Sequence, residues 1–125
     1  MYAVDFYQTS SGHCDVLDFL EELRQNSHKS KDARIQYTQA ARDIQLLQDN
    51  GFNLPVDILK HIENDIWELR PGCNRIFLFY YVEGSFILLH HYKKQTQKTP
   101  RREIDRAIIE MNDYISRKEQ ANELG

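Results

Sequence analysis

The order of apolar patterns along this chain predicts an α+β domain. Two stripes at helical spacing come first, three strand-like segments joined by tight turns follow, and a last helical stripe opens behind a Thr-Pro start signal. The predicted order is β-α-α-β-β-β-α, a small, antiparallel-rich sheet with the helices packed on one side. The 125 residues fit one domain, assigned to residues 1–117. Residues 118–125 read as a polar, disordered tail.

Each element has its own signal. Tyr2–Tyr7 alternates, with Tyr2, Val4 and Phe6 on one face, and Thr9-Ser10-Ser11-Gly12 turns the chain. Asp15 reads as the cap of a helix whose apolar stripe is Val16, Phe19, Leu20 and Leu23. A second helix runs from about Lys31 to Asp49 on Ala33, Tyr37, Ala40, Ala41, Ile44 and Leu47, and Asn50-Gly51 stops it. The short connection predicts an antiparallel helical hairpin. A loop with Pro55 leads to Ile66–Arg70, where Trp67 and Leu69 share one face and Glu68 and Arg70 the other. Pro71-Gly72 and Glu83-Gly84 then turn the strands Asn74–Val82 and Ser85–Lys93 into a meander. Thr99 as cap and Pro100 at the first helical position open the last helix, with Ile104, Ala107, Ile108, Met111 and Ile115 inward.

Charge is distributed unevenly. Residues 1–69 hold six Lys/Arg against twelve Asp/Glu, and residues 103–125 hold three against six. Between them, residues 70–102 carry seven basic groups and one acid, inside a chain of net charge −3. Positive charge concentrated on a negative background points to a local phosphate site rather than a general nucleic-acid coat. Cys14 and Cys73 have neither CxxC nor zinc spacing and read as reduced thiols. No secretory signal is visible, and the longest apolar run, Ile76–Val82, is far below the roughly 20 residues that span a bilayer. A cytoplasmic protein with no membrane association is the expectation.

The chemistry-bearing residues fall inside the basic island. Arg70 and Arg75 flank the Pro71-Gly72 turn on paired strands. Two guanidiniums in proximity repel unless an anion lies between them, either a phosphate, which the planar donor fork suits, or a surface acid such as Glu68. His90-His91-Tyr92-Lys93-Lys94 ends the last strand with groups able to move protons. His90 and His91 point to opposite faces, so at most one serves a shared site. Tyr92 can stack on a base. Arg101 and Arg102 occupy a helix start, where the macrodipole disfavours bases. With Lys98 they form either a phosphate cradle or a pair neutralised by acids from residues 1–69. No metal site is expected, since the His pair lacks i, i+4 spacing.

The string Leu89-His90-His91-Tyr92-Lys93-Lys94-Gln95-Thr96-Gln97-Lys98-Thr99-Pro100, with Trp67-Glu68-Leu69-Arg70 and Arg75-Ile76-Phe77 before it and Glu103-Ile104 and Ala107 after it, resembles the phage-derived HigB-like branch of the RelE/ParE toxin superfamily. The resemblance spans Met1 to about Arg117. It implies a RelE-like α+β fold and the toxin half of a type II toxin–antitoxin pair. It also implies a ribosome-dependent mRNA endonuclease that needs no metal or other cofactor. The implied partners are mRNA on the ribosome and a helix-turn-helix, HigA-like antitoxin, in a heterotetramer. Carried over residue by residue, Arg70 and Arg75 match basic strand positions that stabilise the scissile phosphate. Lys94 and Lys98 match the lysine motif after the last strand, and Tyr92 an aromatic position. The catalytic set is then Arg70, Arg75, Lys94, His91 and Tyr92, with Lys93, Lys98, Arg101 and Arg102 holding flanking RNA. A gyrase inhibitor of the ParE type and a non-catalytic RNA-binding module are the alternatives.

Overall fold

The computed structural model describes residues 1–124. In chain order the elements are β1 (Ala3–Phe6), α1 (Asp15–Asn26), α2 (Lys31–Asn50), β2 (Leu59–Glu63), β3 (Ile66–Leu69), β4 (Asn74–Tyr81), β5 (Ser85–Lys93) and α3 (Arg101–Leu124). The strands form one five-stranded mixed sheet of order β1-β5-β4-β3-β2. β1 lies parallel to β5, and the β2–β3, β3–β4 and β4–β5 pairs are antiparallel.

β2 falls where the sequence reads as loop, so the chain carries one strand more than predicted. It pairs with β3 through Lys60 opposite Glu68 and His61 opposite Trp67, and a bulge between His61 and Glu63 shifts the register. That bulge breaks the period-two pattern by which a strand is recognised.

The helices do not share one side, as the sequence reading had it. Val16 and Phe19 of α1 and Ala40 and Leu47 of α2 pack on Leu69, Ile76, Leu78, Phe86 and Leu88. Ile104, Ala107, Met111 and Tyr114 of α3 pack on Ile66, Phe77, Phe79, Ile87 and Leu89, on the opposite face. The reason is in β4, where Asn74 through Phe79 are all buried. From Ile76 to Phe79 both sets of alternating side chains are apolar, so both faces must be covered.

A second bulge lies in β5. Phe77 pairs with His90 and Leu78 with Leu88, leaving Leu89 unmatched. Leu89 packs in the α3-side core, and His90 also reaches acids on α3. Beyond the bulge alternation resumes, with His91 toward α1 and Tyr92 among the groups packed toward α3.

Three local expectations change. Asp15 does not cap α1; Cys14 holds that position without a side-chain bond. The Asp15 carboxylate turns instead to His91. α3 starts at Arg101, with the Pro100 carbonyl accepting from the Glu103 and Ile104 amides, so Pro100 rather than Thr99 is the cap. α3 also extends to Leu124, through 118–124, where polar composition suggested a frayed tail. Those residues are mostly good helix formers, and Lys118 lies over the Tyr114 ring. Gly125 is outside the described residues. Among them, no helix is long and apolar enough to cross a membrane.

Candidate functional site

The Pro71-Gly72 turn brings the end of β3 against the start of β4. Gly72 has φ +58°, a conformation that residues with a Cβ rarely adopt, so the turn favours glycine. Arg70 follows β3 on the same face as Glu68. Arg75 is the cross-strand partner of Tyr92. The four side chains meet on the α3 side of the sheet, at its open end.

Glu68 is the centre of this group and is 2% exposed. Its Oε1 lies 3.7 Å from Arg70 Nε and 3.6 Å from Arg75 Nε, and its Oε2 accepts from the Tyr92 hydroxyl at 3.0 Å. The anion between the two guanidiniums is thus the protein's own carboxylate. Arg75 is itself buried, and its Nη1 donates to the carbonyls of Gly72 and Asn74, both at 2.8 Å. Arg70 is less enclosed. Its Nη1 donates to the Val56 carbonyl at 3.3 Å, while its buried Nε has no hydrogen-bond partner. Lys60, opposite Glu68 across β2–β3, is a further cation beside the carboxylate.

Burial pushes the Glu68 carboxyl above its ordinary range, against the pull of the Tyr92 hydroxyl and then of Arg75, Arg70 and Lys60. Burial also pushes the Tyr92 phenol up to about 12, with the Glu68 charge adding to it and the Thr99 hydroxyl opposing. Tyr92 therefore stays protonated near neutral pH. Its ring stacks on Phe77 at 5.4 Å between centroids, which holds the hydroxyl in place.

The other residues picked from the sequence are dispersed. Lys94 follows β5, and its amide donates to the Cys73 carbonyl at 2.8 Å. Alternation from Tyr92 puts it on the Arg75 side. Lys98 and Thr99 border two adjoining clefts, one shared with Arg101 and the other with Lys60 and His61. Arg101 is committed to Glu63 of β2 and Asp105 of α3, at 2.7 Å and 2.9 Å. Arg102 is exposed.

His91 is on the opposite face of the sheet. It stacks on Phe19 at 4.0 Å, and its Nδ1 and backbone N–H both reach Asp15 Oδ1. With Lys93 it lines a separate cleft that includes Asn74 and Gln36. His90 is fully buried, its two ring nitrogens directed at Glu110 and Glu103, 2.5 Å and 3.1 Å away.

Sequence reasoning placed Glu68 only as a possible surface partner, read Asp15 as a helix cap, and missed Lys60. Glu68 had a signal, being two residues from Arg70 on one strand face. Lys60 had none once β2 was taken for loop.

Among curated proteins none matches the chain at a significant level. A family model described as "Phage derived protein Gp49-like (DUF891)" matches residues 21–112. The match covers well over half of the chain, from within α1 to within α3, and includes Glu68, Arg70, Arg75 and Tyr92. The chain belongs to the phage-derived, Gp49-like protein family.

Proposed function

We infer that this protein is the toxin of a type II toxin–antitoxin pair, of the HigB-like branch of the RelE/ParE superfamily, and cuts mRNA on the ribosome. Membership of a phage-derived family and the Lys93–Pro100 motif support this reading. The observation that carries it is the pairing of Arg70 and Arg75 on one carboxylate beside a protonated phenol. Such a set is suited to a phosphodiester.

RNA brings its own nucleophile, the 2′-hydroxyl. Cleavage needs a base for that hydroxyl, an acid for the departing 5′-oxygen, and cations for the charge that develops on phosphorus. Arg70 and Arg75 serve as the cations. Tyr92, with its phenol held up near 12, is suited to donate a proton and unsuited to accept one. Lys94, on the same side, takes the base role in preference to His91, which lies across the sheet. The product is a 2′,3′-cyclic phosphate. Lys93, Lys98, Arg101 and Arg102 hold flanking RNA, and a helix-turn-helix, HigA-like antitoxin covers the cations when the toxin is silent.

Mapping RNA 5′ ends after brief induction tests the reading. New cuts in translated messages, absent with Arg70→Ala, are the expected result, and intact messages overturn it. One observation favours a non-catalytic RNA-binding module or a ParE-like gyrase inhibitor instead: Arg75 is buried and its Nη1 is bonded to two backbone carbonyls. Broken DNA with intact messages would identify the gyrase inhibitor. Salt-dependent RNA affinity without turnover would identify the binding module.

A further inference from the structure

A buried ion pair built for stability has short, bidentate hydrogen bonds that satisfy both partners. The Glu68 cluster does not. Its two charge contacts are 3.6 Å and 3.7 Å, too long for hydrogen bonds. The carboxylate accepts one bond, from Tyr92, and Arg70 Nε is buried with no acceptor. Glu68 thus draws two guanidiniums together without saturating their donors. Lys60 adds a further positive charge from the neighbouring strand.

We propose that Glu68 is an internal stand-in for phosphate, a positioning residue that aims Arg70 and Arg75 in the free protein and competes with an incoming RNA phosphodiester for both. The proposal rests on the reading that these two arginines meet RNA. The geometry explains why an acid belongs in a site for anions. Without it, two guanidiniums at one turn would repel until a phosphate arrived to bridge them in its place. With it they stay convergent, and Arg70, the more accessible of the two, can turn its unused donors to a better acceptor. The carboxylate also fixes the Tyr92 hydroxyl, so one side chain sets the positions of three others. The same charge restrains binding of every phosphate, since an approaching anion meets it behind the arginines.

The test is binding of a fluorescent 2′-O-methyl oligoribonucleotide, which carries the phosphates but no free 2′-hydroxyl, to the full-length protein across a salt series. Glu68→Gln keeps an acceptor for Tyr92 and removes the charge. It is expected to bind about tenfold more tightly, with a log affinity–log salt slope steeper by about 0.7, the increment of one more phosphate contact on a single strand. Adding Arg70→Ala to Glu68→Gln is expected to cancel the gain. Wild-type affinity and slope in a folded Glu68→Gln protein would overturn the proposal. Should that variant not fold, Glu68→Asp withdraws the charge by one methylene; a smaller gain in the same direction supports the proposal and no gain overturns it. Cleavage of unmodified RNA is followed separately. Tighter binding with no cleavage by any variant overturns the nuclease reading alone. Cleavage that depends on Arg70, with no gain in Glu68→Gln, overturns the role of Glu68 alone.

Discussion

Asp15, at the start of α1, accepts from both the ring Nδ1 and the backbone N–H of His91, 76 residues away in the chain. The same carboxylate reaches Arg106 of α3 at 3.3 Å. One acid thus ties α1, β5 and α3 together around the end of the sheet.

Burial alone would raise the Asp15 carboxyl, but the His91 ring and amide, with Arg106, hold it down to about 2. A carboxyl lowered on folding contributes stability above its unfolded value, near 3.8, and that stability is lost as pH falls toward 2. The contribution at neutral pH is about 2 kcal/mol. Urea unfolding of Asp15→Asn between pH 7 and pH 2 is expected to show a deficit of that order at neutral pH that narrows in acid.

His90 is expected to be more costly to remove. It is fully buried with both ring nitrogens directed at carboxylates, so His90→Ala takes a partner from Glu103 and leaves Glu110 with Arg106 alone. A loss of about 3 kcal/mol follows from two lost hydrogen bonds and the cavity left by the ring. Equilibrium unfolding measures it, and a loss below about 1 kcal/mol would show that the acids find other partners.

Arg70 and Arg75 are expected to separate function from stability. Arg70→Ala removes one long hydrogen bond and a partly exposed cation, so melting temperature changes little while RNA cleavage drops by about 10²–10³. Arg75→Ala also breaks two carbonyl contacts and leaves Glu68 without its buried partner, so it is destabilised as well. Similar melting curves for the two variants would contradict this division.

Tyr92→Phe keeps the ring stacked on Phe77 and deletes the hydroxyl proposed as proton donor. Cleavage is expected to fall while the fold persists. In the wild type minus Tyr92→Phe difference spectrum, phenolate absorbance is expected to rise near pH 12 rather than near 10. Because this phenol is raised on folding, its contribution is present below 10 and is lost as pH climbs toward 12. A midpoint near 10 would place the hydroxyl in water.

The basic residues outside the cluster are not expected to act alike. Lys98→Ala should weaken oligonucleotide binding evenly across sequences and flatten the salt slope by about 0.7. Arg101→Ala should flatten it less, because Glu63 and Asp105 already compete for that guanidinium. Equal slopes for the two variants would mean that RNA displaces both acids.

Much of this arrangement was legible in the sequence, and the illegible part has a common cause. β3, β4 and β5 follow from segments rich in aromatic and branched residues around Pro71-Gly72 and Glu83-Gly84, and the approach of Arg70 to Arg75 follows from that hairpin. β2 was lost because it is a polar edge strand with a bulge. The second helical layer was lost because a continuous apolar run such as Ile76–Val82 does not say which helix covers which face. Asp15 looked like a cap because local spacing cannot reveal a partner 76 residues away. What lies between two arginines is likewise a matter of strand register and burial, which composition does not encode.

The unmatched Leu89 in β5 makes the identity of the site a matter of counting. Because that one residue is extra, Tyr92 presents to Arg75 and Glu68 while His91 presents to Asp15. Absorbing it into a regular ladder would slip everything downstream by one and bring His91 opposite Arg75, so that the imidazole and the phenol would trade sides without either being mutated, whereas deleting it would keep Phe77 opposite His90 and Arg75 opposite Tyr92. The bulge, rather than the residue count alone, therefore decides which of the two rings shares a face with Arg75.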